Sequence, residues 1–166
     1  MNRSNLTFAT LMLATALSLP LASAAQSLGK SLSGTSWSLV SADMVDPKGA
    51  KRGLVEGKNS KGSLIFTANG RYAYLVIADM PKFAGDRVVP TPAEEKMVAR
   101  GLLTNFGTYS VDDATSTLTL KIERSSYPTQ NGTSGKRKVT LKGDELVMEN
   151  EARTKGGTTK VVWKKN

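Results

Sequence analysis

The chain contains no cysteine and no histidine. That absence excludes disulfides, zinc sites built on thiolate or imidazole, cysteine nucleophiles and histidine-based triads. Any proton transfer therefore falls to carboxylates, lysines or tyrosines. Aromatic residues are scarce, at 6%, so each one carries weight in locating a core or a site. Past the first 25 residues there is no long apolar run, no internal repeat, no low-complexity tract and no second domain. The full chain of 166 residues, 39% hydrophobic and 22% charged, fits one folded domain large enough to bury a core.

The first 25 residues read as a secretory signal peptide. Arg3 gives a positive start, Phe8 to Leu21 is apolar, and Ala22-Ser23-Ala24 is a small-x-small cleavage site, with Ser23-Ala24-Ala25 as the alternative. The apolar run is short for a membrane anchor and small residues follow it. Cleavage near Ala24 or Ala25 would leave residues 26–166 as the mature domain, periplasmic or secreted. The cleavage site has no cysteine to take a lipid, so no stable membrane anchor is expected.

The full chain has a net charge of +9, and losing Arg3 with the leader leaves 22 basic against 14 acidic residues, or +8. The basic residues are scattered over loops and strands, among them Lys48, Lys51, Arg52, Arg71, Lys136 and Lys164. No basic helix or basic-aromatic alternation of the nucleic-acid-binding kind is present. A solvated basic surface is the expectation, and nucleic acid is not an expected partner.

The mature chain reads as all-β. Eight short strands are expected, near Gly34–Asp43, Gly62–Thr67, Arg71–Ile77, Phe106–Val111, Thr117–Arg124, Lys136–Leu141, Glu145–Ala152 and Thr158–Lys164. Residues 46–59, rich in Gly, Lys and Pro, read as loop. Asn69-Gly70 is the strongest hairpin signal. Leu118, Leu120 and Ile122 alternate with polar neighbours, so they face inward. The third strand has two apolar faces: Tyr72, Tyr74 and Val76 share one, and Ala73, Leu75 and Ile77 the other, so both are expected to be covered. Mostly short links between eight strands imply an antiparallel up-and-down barrel, which removes exposed sheet edges. An eight-stranded interior either packs solid or holds one small ligand.

Ala78 to Tyr109 breaks the strand pattern. An irregular segment, Asp79 to Pro90, leads into a short amphipathic helix between the third and fourth strands, about Pro92 to Leu103. Thr91, Pro92 and Glu94 form a start signal of the capping-box type. Met97, Val98, Leu102 and Leu103 give an apolar stripe, which either closes one end of the core or covers a ligand. The segment is expected across the barrel mouth.

Candidate binding residues cluster around this insertion. Tyr72, Tyr74, Phe106 and Tyr109 would line an apolar pocket or belong to ordinary core. Lys82, Phe83 and Arg87, with Asp79 and Asp86, would hold a polar ligand group or pair with one another to fix the loop. Arg137 alternates with inward Val139 and Leu141, so it is expected to point into the barrel, where a charge needs a partner; Arg124 is a second case. Trp37 and Trp163, from the first and last strands, are expected to plug the base. Asn131-Gly132-Thr133 matches a glycosylation sequon without a context for its use. No catalytic residues, metal ligands or cofactor site are identified. The acid pairs Asp112-Asp113 and Glu94-Glu95 resemble neither a catalytic dyad nor a calcium loop.

Taken in order, these residues resemble the bacterial and fungal lipocalin-like domain family, of calycin type. The likeness runs from about Leu32 to Lys164. It rests on Gly34-Thr35-Ser36-Trp37-Ser38-Leu39-Val40, on Gly62-Ser63-Leu64-Ile65-Phe66 with Asn69-Gly70-Arg71, and on Asp79-Met80-Pro81-Lys82-Phe83 with Gly85-Asp86-Arg87. Thr91-Pro92-Ala93-Glu94-Glu95-Lys96, Phe106 to Asp112 and Val161-Val162-Trp163-Lys164 complete it. Two departures stand out. Gly34 lies three residues before Trp37, where members commonly have Gly-x-Trp, and Leu118 to Ile122 lacks the histidines many members carry. The resemblance implies binding of a small apolar or amphipathic molecule more than any reaction. The alternatives are an isomerase or cyclase using Tyr72 or Tyr74 with Lys82 or Asp79, and an envelope protein binding an anionic partner through its basic surface.

Overall fold

The computed structural model describes residues 27–84, 89–151 and 157–166. The apolar leader, Asp86, Arg87 and Ala152 lie outside the described residues. Nine antiparallel strands follow in the order β1 (Thr35–Val45), β2 (Lys51–Gly53), β3 (Lys58–Phe66), β4 (Arg71–Asp79), β5 (Leu102–Asp112), β6 (Thr117–Ser125), β7 (Ser134–Lys142), β8 (Glu145–Glu151) and β9 (Thr158–Lys165). Two short helices, α1 (Leu28–Leu32) and α2 (Pro92–Gly101), precede β1 and β5. From β3 to β9 each strand pairs with the next, and β9 closes the ring on β1, from Trp37↔Lys165 to Val45↔Thr158. The eight-stranded up-and-down barrel expected from the sequence is therefore present.

The ninth strand, β2, lies in the segment expected to be loop. β1 is longer than its partner β3: Thr35–Ser38 pair with β3, while Asp43–Val45 overshoot it and pair with Gly53–Lys51. An overshooting edge left bare would invite pairing with another chain, and β2 covers it. Three polar or glycine positions carry no alternation, so no strand signal was available there.

Tight turns fix the ends. In the β3–β4 hairpin the Thr67 amide donates to the Arg71 carbonyl at 2.8 Å, and Gly70 takes φ +80°, a conformation glycine adopts without strain. In β5 the register slips between Phe106 and Gly107 against β6. A side chain at Gly107 would overlap the Lys121 carbonyl oxygen, so this bulge requires glycine.

One end of the barrel is sealed. Leu32 of α1, Trp37, Phe66, Leu118, Leu146 and Trp163 are all but inaccessible there. The two tryptophans do form the expected plug. α1, just ahead of β1, is held by the Gly29 amide donating to Asp113 Oδ1 at 3.0 Å.

Two expectations need correction. α2 stops at Gly101, so Leu102 and Leu103 belong to β5, and the rest of its apolar stripe, Met97 and Val98, is 36% and 38% exposed. A side chain at Gly101 would come 3.0 Å from Met80 Cε and 3.5 Å from Ala78 Cβ, so the close packing of that residue pins the helix end. Nor is the outer face of β4 fully covered: Tyr72, Tyr74 and Val76 point inward, but Ile77 on the opposite face is exposed.

Candidate ligand-binding cavity

Opposite the plug the barrel is hollow. A cavity of about 440 Å³ opens at the end where β1, β4, β6 and β8 finish and β5, β7 and β9 begin. In an antiparallel meander, strand ends and the following strand starts meet at one rim. Leu103, Leu120, Ile122, Met148 and Val161 supply apolar wall. Polar residues share the lining: Asn105 lies one inward step deeper than Leu103 on β5, Arg137 is on β7, and on β8 and β9 the inward phase ends toward the rim in Asn150 and Thr159.

Two connections reach over the opening. After β2 the chain crosses the rim and turns Leu54 and Val55 inward; the Leu54 amide donates to the Ala42 carbonyl at 2.9 Å and Val55 is buried. Between β6 and β7 a 3-10 turn, Pro128–Gln130, brings Gln130 and then Thr133 to the cavity. α2 sits at the same rim, but none of its residues lines the hollow. It is fastened by its two ends. The buried Glu94 carboxylate accepts from the amides of Ala84 and Thr91, each at 2.7 Å, and from the Thr91 hydroxyl at 2.9 Å, completing the capping box. At its other end the Arg100 carbonyl accepts from the Glu56 amide at 2.9 Å, and Arg100 Nη1 stands 3.0 Å from Glu56 Oε1.

The eight candidate residues separate into groups. Tyr74 and Arg137 line the cavity. Tyr72 is buried beside it and its hydroxyl donates to Asn105 Oδ1 at 2.8 Å, one diagonal step nearer the rim. Tyr109 belongs to the sealed end, edge-on to Phe66 at 4.8 Å with its hydroxyl donating to the Thr67 carbonyl at 3.1 Å. Phe106 points outward and is 45% exposed, because Asn105 and Gly107 take the inward positions on either side. Lys82 is exposed and Phe83 half-buried; neither lines the cavity. Arg87 lies outside the described residues. Asp79 is exposed too, and among the described residues it forms no ion pair with Lys82, so the tyrosines and the acid or lysine that an isomerase would need are not brought together. Arg124 is exposed and donates to the Glu123 carbonyl at 2.8 Å, not into the barrel.

The cavity's polar groups follow a pattern. Burial pushes the Tyr72 hydroxyl up to about 12 and raises the Tyr74 hydroxyl further above its ordinary value, with the Arg137 charge pulling both the other way. Both phenols therefore stay protonated near neutrality. Tyr74 packs edge-on against Trp163 at 5.3 Å, joining the cavity floor to the plug. The Arg137 guanidinium folds over Gly135, where an added Cβ would lie 2.7 Å from Nη1. At the rim, Arg52 Nη2 lies 2.9 Å from Met44 Sδ.

Asn105, Gln130, Asn150 and Thr159 were missed in the sequence. For Asn150 and Thr159 the signal was there, a polar residue where the inward alternation of its strand runs on toward the open rim; Gln130 sits in the turn Pro128–Gln130, outside any alternation, and Asn105 lies deeper than the inward Leu103. Among the described residues, no cluster of carboxylates stands ready to hold a metal ion.

Comparison with known proteins agrees with the architecture. A family profile, described as a lipocalin-like domain, matches residues 34–166. No curated protein matches the chain.

Proposed function

The chain belongs to the lipocalin-like domain family, and from that premise we propose that it binds a small amphipathic molecule inside the barrel. The fold supports small-molecule binding in general. The cavity carries the finer reading: about 440 Å³, sealed below, with apolar walls and convergent polar groups toward one open rim. Such a volume lies in the range of small-ligand pockets, roughly 300–1,000 Å³. The walls match an apolar body, and the polar groups orient one end of it.

The test is titration with a neutral apolar fluorophore, N-phenyl-1-naphthylamine, followed by displacement with candidate ligands. Saturable binding at one site per chain is expected, and Leu103→Trp, which fills the hollow, should abolish it. Fluorophore binding that L103W leaves intact would place the site elsewhere and end this reading. The same proposal includes export, supported by the apolar leader and its small-x-small site. N-terminal sequencing of the exported protein should begin directly after Ala24 or Ala25; a retained leader would overturn it.

A further inference from the structure

We propose that the ligand is an apolar ketone and that two donors at the cavity floor, the Tyr74 hydroxyl and the Asn105 side-chain amide, receive its carbonyl oxygen; this rests on the cavity-binding reading above. Most polar side chains around the hollow are already engaged. The Thr159 hydroxyl donates to Asn150 Oδ1. Gln130 Oε1 accepts from the Ser125 hydroxyl at 3.1 Å, and Arg137 Nη1 donates to the Lys136 carbonyl at 3.0 Å. Tyr74 is the exception. It is only 6% exposed, it lines the cavity, and its hydroxyl has no hydrogen-bond partner among the described residues. Unlike Trp163 Nε1, which is sealed in, that hydroxyl keeps surface open to the hollow. A buried hydroxyl without a partner is costly, so a ligand that meets it gains.

A second donor stands beside it. Asn105 on β5 is the register partner of Tyr74 on β4, and both line the cavity. Directly opposed residues hold their Cβ atoms about 5 Å apart. Asn105 Oδ1 accepts from the Tyr72 hydroxyl at 2.8 Å, which leaves its NH2 as the unspent half of the amide among the described residues. The charge of Arg137 acts on both phenols, so the two hydroxyls, and Asn105 with them, occupy one region of the cavity. Tyr74 lies edge-on to Trp163 at 5.3 Å, which makes that region the floor. Leu103 is one inward step nearer the rim, and Leu120, Ile122, Met148 and Val161 complete the apolar wall. The carbonyl therefore enters first, and the apolar body runs back toward the opening.

The chemistry of the two donors selects the head group. A ketone oxygen only accepts and has two lone pairs, so it takes both hydrogen bonds. An alcohol must also place a proton of its own, and the neighbouring amide oxygen is engaged by Tyr72. A carboxylate accepts as well, but it carries charge to the floor. Burial is the largest influence on the Tyr74 hydroxyl and raises it well above its ordinary value, against the pull of Arg137. A floor that disfavours a phenolate disfavours a carboxylate for the same reason.

2-Undecanone, 2-undecanol and undecanoate share one chain length, so displacement of N-phenyl-1-naphthylamine from the wild-type protein by each isolates the head group. The ketone is expected to bind about tenfold tighter than the alcohol, the effect of one further hydrogen bond, and tighter than the acid. Tyr74→Phe should erase the advantage of the ketone over the alcohol. Asn105→Asp keeps an acceptor for Tyr72 but replaces the NH2 by oxygen, and should weaken the ketone at least as much. Infrared spectra of the bound ketone, labelled at its carbonyl carbon, add a readout that a merely structural tyrosine would not move. The carbonyl stretch should lie below its value in hexane and rise toward it in Y74F. Because the hydroxyl bonds to nothing in the described protein, Y74F should keep the urea unfolding midpoint of the wild type; a lowered midpoint would mean that the hydroxyl serves the fold and would overturn its role as a spare donor. Equal affinity of ketone and alcohol, or a tighter acid, would overturn the ketone assignment while leaving the cavity reading standing. A preference and a carbonyl stretch unchanged in Y74F would overturn the role of Tyr74. Failure of the fluorophore itself to bind would take both readings down together.

Discussion

The two ends of the barrel are built from the same strands and treat their inward positions in opposite ways. Along β8 the inward residues run Leu146, Met148, Asn150; along β9 they run Thr159, Val161, Trp163. Leu146 lies beside Trp163 in the sealed end, Met148 beside Val161 in the cavity wall, and Asn150 beside Thr159 near the rim. Across two neighbouring strands and a few residues along each, close packing gives way to polar groups facing a hollow. Inward therefore does not mean core. The alternation says which face a residue is on; the distance from the rim says whether it supports the fold or meets a ligand.

Leu146→Ala and Met148→Ala put this contrast to the test with the largest effect. Both residues are buried on the same face of one strand. Leu146 is surrounded, so its loss leaves a new void and should cost about 3–5 kcal/mol. Met148 already borders open space, so fewer contacts are lost, and the cost should fall near the bottom of the range for such truncations, about 2 kcal/mol. Urea unfolding measures both. Equal costs would mean that the open end is packed as tightly as the sealed one. Ligand affinity should separate them in the reverse order, with M148A the more affected.

The tryptophans of the plug sharpen the contrast within the sealed end. Trp37 Nε1 donates to Thr35 Oγ1 at 2.8 Å, whereas Trp163 Nε1 is buried without a partner among the described residues. A buried donor left unsatisfied costs about 1–3 kcal/mol. Trp37→Phe should therefore destabilise the protein by about 1–3 kcal/mol more than Trp163→Phe, since the second change also removes an orphan donor. Thermal or urea unfolding of the two variants decides it. A Trp163→Phe cost equal to that of Trp37→Phe would mean that its indole nitrogen is satisfied in solution, most simply by water reaching down from the cavity above Tyr74.

These contrasts also mark how far the sequence could be read. Alternation in Leu118-Leu120-Ile122 and the Asn69-Gly70 turn are local signals, and the strand count and barrel followed from them. The plug was legible because tryptophans on the first and last strands must meet when a meander closes. β2 was not, because Lys51-Arg52-Gly53 pairs with an overhang of β1 that exists only once the barrel is formed. Arg137 was legible from its phase between inward neighbours, as Tyr74 was. Phe106 was misplaced because an aromatic residue was read as lining, whereas the neighbouring Asn105 holds the inward position. α2 carried a true capping box, yet its stripe stays in solvent, since Glu94, Arg100 and Gly101 attach the helix by its ends. Periodicity reports which residues share a face; it does not report whether that face finds a partner.

The smallest effect is expected outside the barrel. Arg71 of β4 reaches over β5 to Glu123 of β6, with Nη1–Oε1 at 3.1 Å and Nη2–Oε2 at 2.8 Å, and the two side chains are 46% and 41% exposed. Hydrogen bonding from Arg71 holds the Glu123 carboxyl below its ordinary value. A carboxylate depressed in the folded state stabilises the protein above the unfolded-state value and loses that contribution as pH falls through the folded one. Arg71→Met should thus be slightly less stable than wild type at neutral pH, and the gap should close as acid protonates Glu123. High salt should also narrow it, because exposed pairs are screened. The measurement is urea unfolding of both proteins across the acid range, with and without added sodium chloride. A gap that survives both acid and salt would show that Arg71 contributes through the packing of its stem against the outer face of β5, and that the outer surface shares in the packing that holds the sealed end.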